Sequence, residues 1–192
     1  DSAGSQRQAA ALLLSNILYI RLMLYLRLGW LTRAQNCLDE MRAVLAAAEH
    51  DAHWQDQEFM ARWVATCLVF ARGDFAVVQT AAQMHLNYLQ TTDLYCYPWR
   101  AEIGTRFWQA HMLTMLGNTA QLLGDYPGAL AYFAQANTLR EAMGELRFKA
   151  GSLRGMAGVL RLTGAYEQAL ATAHAALGER EVAQVVVARR QL

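Results

Sequence analysis

The apolar positions of this chain recur with helical spacing and are interrupted at short corners that contain glycine. The corners are Gly29-Trp30-Leu31, Gly73-Asp74-Phe75, Gly124-Asp125-Tyr126 and Gly164-Ala165-Tyr166. A short side chain lies five positions after each glycine, at Ala34, Val78, Ala129 and Ala169. Because an apolar run precedes and follows every corner, the pattern predicts pairs of helices joined by tight glycine turns.

The residue types at these corners suit such a turn. Glycine accepts the left-handed conformation that ends a helix. Asp74 and Asp125 are placed to cap the next helix with their carboxylates. We expect the large apolar residue two positions after the glycine to fill the cleft between the paired helices, and the short side chain to let them approach closely.

The same signals predict nine helices, bounded at about 6–28, 31–49, 54–72, 75–91, 99–123, 126–143, 146–163, 166–177 and 180–192. They pair as hairpins at about 6–49, 54–91, 99–143 and 146–177, with half a hairpin at 180–192. Each hairpin has more apolar surface than it can bury alone, so we expect neighbours to stack into a single domain over 1–192. The connection Thr91–Pro98 is either a hinge or a packed loop.

The pattern is most regular between Leu113 and Ala136. The positions that match a known signature there are Leu113, Leu116-Gly117, Gly124-Asp125-Tyr126, Ala129, Phe133 and Ala136. In this spacing the chain resembles the tetratricopeptide repeat family, with its Trp, Leu-Gly, Gly-x-Tyr, Ala, Phe and Ala pattern. The resemblance implies an all-α fold, a right-handed superhelix of about four and a half antiparallel hairpins.

The resemblance also implies a function, the binding of a protein or peptide in a concave groove lined by the first helix of each hairpin. The candidate groove residues are Tyr19, Trp63, Phe70, His111, Asn118, Gln121, Arg154 and Arg161. An extended peptide would anchor a hydrophobic side chain at the aromatic residues and a carboxylate at the two arginines. The alternative is structural, because aromatics at helical spacing also form cores and arginines on a helix face also remain solvated.

A second resemblance starts at Leu139 and continues through Gly151 to Tyr166. This stretch is similar to the long repeats of large ATP-dependent bacterial regulators of the STAND/LuxR type. It implies an alternative function, in which the array senses a ligand or partner for a longer regulatory protein. The chain begins at Asp1 and ends inside a helix-like run, so we expect a fragment with an exposed C-terminal hairpin that is available for self-association.

Composition, net charge and cysteine spacing limit the classes of function that the chain can have. The chain is 55% hydrophobic and 17% charged, which favours a packed core, and its net charge of +1 argues against direct contact with nucleic acid. Cys37, Cys67 and Cys96 have no metal or redox spacing, which favours reduced thiols in the cytoplasm. Arg21 and Arg27 interrupt the apolar segment 9–31, so we interpret it as a core helix, not a membrane span.

No catalytic motif stands out in the sequence. A phosphate-binding glycine loop, a His-Glu-x-x-His zinc motif and a Ser-His-Asp arrangement are all missing, so we expect no enzymatic activity, no cofactor and no metal. His50 and His53, with three nearby acidic residues, suit either a metal or a solvated turn, and we favour the turn. Gly151, Gly155 and Gly158 follow helical spacing and predict a close helix contact.

Overall fold

The computed structural model describes residues 2–92, 94 and 104–189, and the statements below concern these residues. They form eight helices: α1 (Ser2–Arg27), α2 (Leu31–Ala46), α3 (Ala52–Arg72), α4 (Phe75–Thr91), α5 (Gly104–Leu122), α6 (Tyr126–Met143), α7 (Leu146–Leu162) and α8 (Tyr166–Arg189). The predicted all-α class is confirmed. Residues 93 and 95–98 of the proposed hinge, with Cys96 and the predicted helical start at 99–103, lie outside the described residues.

The predicted break between the last two helices, at residues 178–179, is wrong. Helix α8 continues through Gly178 to Arg189. The backbone at Gly178 does not have a positive φ. An interior glycine lowers helix stability by roughly 1 kcal/mol relative to alanine, but it ends a helix only where the backbone turns left-handed. Residues 190–192 of the predicted final helix lie outside the described chain.

Five corners share one backbone geometry. Their glycines have φ between 67° and 87° and lie at Gly29, Gly73, Gly124, Gly144 and Gly164. The residue after each glycine donates its N–H to the carbonyl five positions earlier, as Asp125 does to Ala120 at 2.9 Å. The four predicted corners are confirmed. The fifth, at Gly144, joins α6 to α7 with the same turn, so the last three corners recur every twenty residues.

The side chains around the corners also follow the prediction, with one exception. The carboxylates of Asp74 and Asp125 accept hydrogen bonds from the N–H groups of Val77 and Gly128, at 3.4 and 3.0 Å. The short residues five positions after each glycine are buried. Tyr166 is the exception, because its side chain remains 69% exposed and does not fill a cleft.

The chain divides into two compact units. The first contains residues 1–81 and 91–105. Within it, α1 and α2 are antiparallel: Gln8 Nε2 donates to the carbonyl of Glu49 at 2.8 Å, and Arg21 pairs with Glu40 at 2.8 Å. Helix α3 packs against both, with a buried hydrogen bond from Ser15 on α1 to the α3 residue Gln57, at 2.9 Å.

The second unit contains residues 82–90 and 106–192. At its centre the fully buried ring of Phe133 on α6 lies between Gly117 on α5 and Gly155 on α7. A Cβ atom added at Gly117 or Gly155 would lie 2.8 or 2.5 Å from that ring. The close helix contact predicted from the glycine spacing in α7 is therefore confirmed at Gly155.

Helices α5 and α7 run side by side in the same direction within this second unit. The rings of His111 and Phe148 lie 5.0 Å apart, and a Cβ on Gly158 would lie 3.5 Å from Nε2 of Gln121. Both pairs are separated by 37 residues, so the two helices keep one register along their length.

Lys149 bonds Glu141 and Glu179 at 2.7 and 2.6 Å and so links α6, α7 and α8.

Candidate binding surfaces

The sequence-predicted groove residues of the second unit divide into two groups. Arg154 and Arg161 are exposed on α7, one turn before and one turn after Gly158. Gln121 of α5 lies against Gly158, and the partly buried Asn118 lies one turn earlier on the same helix. The structure therefore brings two guanidinium groups and a carboxamide to one strip of the surface, which we call the α5–α7 face.

The charged side chains of the α5–α7 face are all positive among the residues that the structure describes. Helix α7 contains Arg147, Lys149, Arg154 and Arg161 and no acidic residue. Lys149 is neutralised by its two glutamates, whereas neither Arg154 nor Arg161 pairs with any group among the described residues. Exposed guanidinium groups in this arrangement suit a carboxylate, since each can form charge-assisted, bidentate hydrogen bonds.

His111 belongs to a different environment. Its ring is partly buried beside Phe107, Trp108 and Phe148, with centroid distances of 4.3, 5.7 and 5.0 Å, and its Nδ1 lies 3.0 Å from the carbonyl oxygen of Phe107. Desolvation, followed by repulsion from Arg140, lowers the pKa of His111 to about 4. The imidazole is therefore neutral near pH 7, and it packs between α5 and α7.

The aromatic candidates of the first unit are buried to different degrees. Trp63 is only 8% exposed, and Phe70 is partly buried with its ring 5.4 Å from that of Phe75 in an edge contact. Tyr19 is also partly buried. The structure thus places Trp63 in the core of this unit and leaves little of its ring surface for a ligand.

Sequence analysis missed a buried arginine in the second unit. Arg140, 3% exposed at the end of α6, donates to the carbonyl of Phe148 at 2.8 Å, to Oγ of Ser152 and to the carbonyl of Ala110 at 3.5 Å. Burial lowers its pKa to about 10. Arginine in the last turn of a helix usually complements the helix dipole at the surface, so the sequence carries no signal of this role.

Helix α1 exposes a row of aliphatic side chains. Leu13, Ile17, Ile20 and Leu24 are 52–67% exposed and recur at intervals of four, three and four residues, and we call them the α1 ridge. The opposite face of α1 is buried through Leu18 and Leu22. The interpretation of 9–31 as a core helix is therefore correct for one face only.

The same helix, Gly4–Arg27, is long and apolar enough to cross a membrane, and 17% of its most apolar window is buried. Length and composition alone do not distinguish a membrane span from the exposed helix of a soluble domain. One charged side chain of this helix, Arg21, bonds other residues of the chain: it donates to Cys37 Sγ at 3.1 Å and to Glu40 at 2.8 Å.

Helix α8 exposes a second apolar row. Tyr166, Leu170 and Leu177 are 69%, 62% and 56% exposed at intervals of four and seven residues, and we call them the α8 ridge. They lie on one side of the helix, because four and seven residues are close to one and two turns. A contiguous exposed apolar row is a candidate surface for contact with another molecule.

His50, between α2 and α3, has a structural contact, and His53 lies inside α3. The ring of His50 stacks on Trp54 at 3.9 Å, and the carboxylate of Asp51 caps α3 by accepting from the N–H of Trp54 at 2.7 Å. Among the residues that the structure describes, no three His, Cys, Asp or Glu side chains are grouped to hold a metal ion. This turn is therefore organised by capping and stacking.

No protein-family model matches the chain, and no curated protein is significantly similar to it. The resemblance to tetratricopeptide repeats therefore depends on the residues of 113–136. The corners and the parallel packing of α5 and α7 are compatible with that resemblance.

Proposed function

We propose that this chain is a protein- or peptide-binding module, and that its α5–α7 face binds an acidic, carboxylate-bearing segment. The observation that carries the proposal is the pair of exposed, unneutralised arginines, Arg154 and Arg161, with the Gln121 amide alongside. A ligand carboxylate would replace water on groups that already point outward. No reaction is required of these residues.

In the second unit, some basic side chains hold the helices together and others are accessible to a ligand. Arg140 and Lys149 are fixed by carbonyl, hydroxyl and carboxylate partners, so they stabilise the helices. Among the described residues Arg154 and Arg161 have no such partners, so we expect their removal to leave the packing unchanged. Gly158 between them lies against Gln121, whose Nε2 would be 3.5 Å from a Cβ atom at this position, so the amide is held beside the two arginines.

The arrangement also supports the tetratricopeptide resemblance as a proposal for the fold. Parallel neighbouring helices at a fixed separation of 37 residues are what a stack of helical hairpins produces. Within this second unit, the first helices of the two hairpins, α5 and α7, would line one wall of a groove. The acidic segment would then lie along that groove.

Fluorescence anisotropy with short labelled peptides tests the proposed function. The probe set pairs Glu-rich peptides that have a free C-terminal carboxylate with Gln-substituted, amidated versions of the same sequences. We expect the wild type to select the acidic members. Arg154→Ala together with Arg161→Ala should weaken them by at least about tenfold, since each lost charge-assisted hydrogen bond contributes roughly 1.5–3 kcal/mol.

Arg42→Ala is the matched control, because Arg42 is an exposed arginine on α2 in the first unit. It should leave the affinity unchanged, and all variants should melt with the wild type. Equal binding of acidic and amidated peptides, or equal weakening by Arg42→Ala, would contradict the proposal.

A further inference from the structure

The α1 ridge and the α8 ridge are both apolar, and the charges beside them are opposite in sign. Each is a single row of large apolar side chains on a helix whose other side is packed against its own unit. Helix α1 contains Arg7, Arg21 and Arg27 and no acidic residue. Between Tyr166 and Leu177, α8 contains Glu167 and no lysine or arginine.

From this complementarity we infer that the chain associates head to tail, with the α1 ridge of one copy packed against the α8 ridge of the next. The occupant of each ridge is thus a second copy of this chain. This inference is independent of the α5–α7 face, which contributes no residue to either ridge.

The charged residues beside the two ridges favour an antiparallel arrangement of α1 and α8. In an antiparallel alignment the facing pairs are Leu24 with Leu170, Ile17 with Leu177, and Arg27 with Glu167. The exposed Arg27 and Glu167 make no ion pair within the described chain, and this alignment supplies each with a partner of opposite charge. Antiparallel helices also align their dipoles favourably.

Pairing of α1 with a second α1 is disfavoured by the same charges. Such a contact would leave Arg27 of each copy without an acidic partner, because α1 has no acidic residue and Arg21 is already paired with Glu40. Complementary charges across an interface select the correct partner. Glu167 beside the α8 ridge supplies a partner for Arg27, so the surface charges favour the unlike pairing.

A contact between two unlike surfaces has a specific consequence for assembly. Each copy retains one unused α1 ridge and one unused α8 ridge after the first contact, so growth continues until a ring closes or a filament forms. The average mass should therefore rise beyond that of a dimer as the concentration increases. An isologous contact would stop at the dimer.

Sedimentation velocity of the purified chain, up to ~0.1 mM, tests the inference. We expect the wild type to grow beyond a dimer, and Ile17→Glu and Leu170→Glu each to remain monomeric at concentrations where the wild type assembles. Placing an unpaired carboxylate in the apolar contact should raise Kd by more than about tenfold. Met84→Glu, at a 66% exposed site on α4, is the control and should assemble as the wild type does.

The decisive sample is an equimolar mixture of the Ile17→Glu and Leu170→Glu chains. The first retains its α8 ridge and the second its α1 ridge, so the mixture should form a one-to-one dimer that grows no further.

Arg27→Glu should weaken wild-type assembly, and adding Glu167→Arg to it should restore assembly. This charge exchange tests the same contact if either ridge variant fails to melt cooperatively.

Three results would overturn the inference. A wild type that is monomeric across the range would show that the ridges do not bind each other. Loss of assembly with Ile17→Glu but not with Leu170→Glu would show that α1 pairs with itself. A monomer that cosediments with phosphatidylserine vesicles and loses this property with Ile17→Glu would identify a lipid surface as the occupant of α1. Acidic-peptide binding is measured separately on the monomeric Ile17→Glu chain. Because this binding does not depend on assembly, its result tests the proposed function and not the inference about the ridges.

Discussion

At the residue scale, the second unit depends on one aromatic ring held between two glycines. Phe133 contacts the positions where Gly117 and Gly155 would carry a Cβ atom, so both glycines are required by space. Gly151, one turn before Gly155 on α7, has no atom within 4 Å of its Cβ position. Two glycines on the same helix therefore have opposite structural roles.

Substituting these two glycines separates packing from helix propensity. Gly151→Ala should stabilise the chain by up to about 1 kcal/mol, because alanine favours the helix. Gly155→Ala gains the same propensity but places a Cβ 2.5 Å from the Phe133 ring, so we expect a net loss of roughly 1–3 kcal/mol. Thermal and urea unfolding measure both, and stabilisation by Gly155→Ala would show that the ring does not occupy this space.

His111 predicts a pH dependence of stability. Its pKa in the folded chain is lowered to about 4, whereas an unfolded histidine titrates near 6.5. The unfolded chain therefore takes up the proton first as the pH falls, so the stabilisation is complete above about pH 6.5 and is lost between there and pH 4. The loss amounts to at most about 3 kcal/mol.

Urea unfolding at pH 7 and pH 5 of the wild type and of His111→Phe measures this contribution. The wild type should lose more stability between the two pH values than the variant does, because phenylalanine keeps the aromatic contacts without the titrating group. Identical losses in both proteins would assign the pH dependence to other groups.

At the element scale, most of the helices and corners could be predicted from the sequence because their causes are local. A glycine, a large apolar residue two positions later and a short residue five positions later define each predicted turn, and four of the five corners were found on that basis. The Gly144 corner was predicted only as a helix boundary, since Lys149 occupies the position of the short residue. The break predicted near Gly178 was wrong because a glycine alone does not set the sign of φ.

Alanine at these two glycines should have opposite effects. Gly144 has φ of 67°, so Gly144→Ala forces an L residue into the left-handed region at a cost of roughly 1–2 kcal/mol. Gly178 lies inside α8 with open space at its Cβ position, so Gly178→Ala should stabilise the chain by up to about 1 kcal/mol. Circular dichroism melting curves measure both changes, and destabilisation by Gly178→Ala would contradict a continuous α8.

At the scale of the whole molecule, helical spacing predicted which candidate side chains share a face better than which of them are accessible. Arg154, Arg161 and Gln121 converge on one face, as expected from helical spacing. The burial of Trp63 depends on contacts made across the tertiary fold, which helical spacing within α3 does not encode. The α1 and α8 ridges were missed for the same reason, because an apolar row shows its exposure only after the packing is known.

The most direct test of the central claim, that the α5–α7 face binds acidic segments, is an NMR titration of the isotope-labelled chain with an acidic peptide selected by anisotropy. Amide shifts should change at 118–121 on α5 and at 154–161 on α7, and Arg154→Ala with Arg161→Ala should abolish the changes. Shift changes confined to α1, α8 or the first unit, or an unchanged response of the double variant, would contradict the claim.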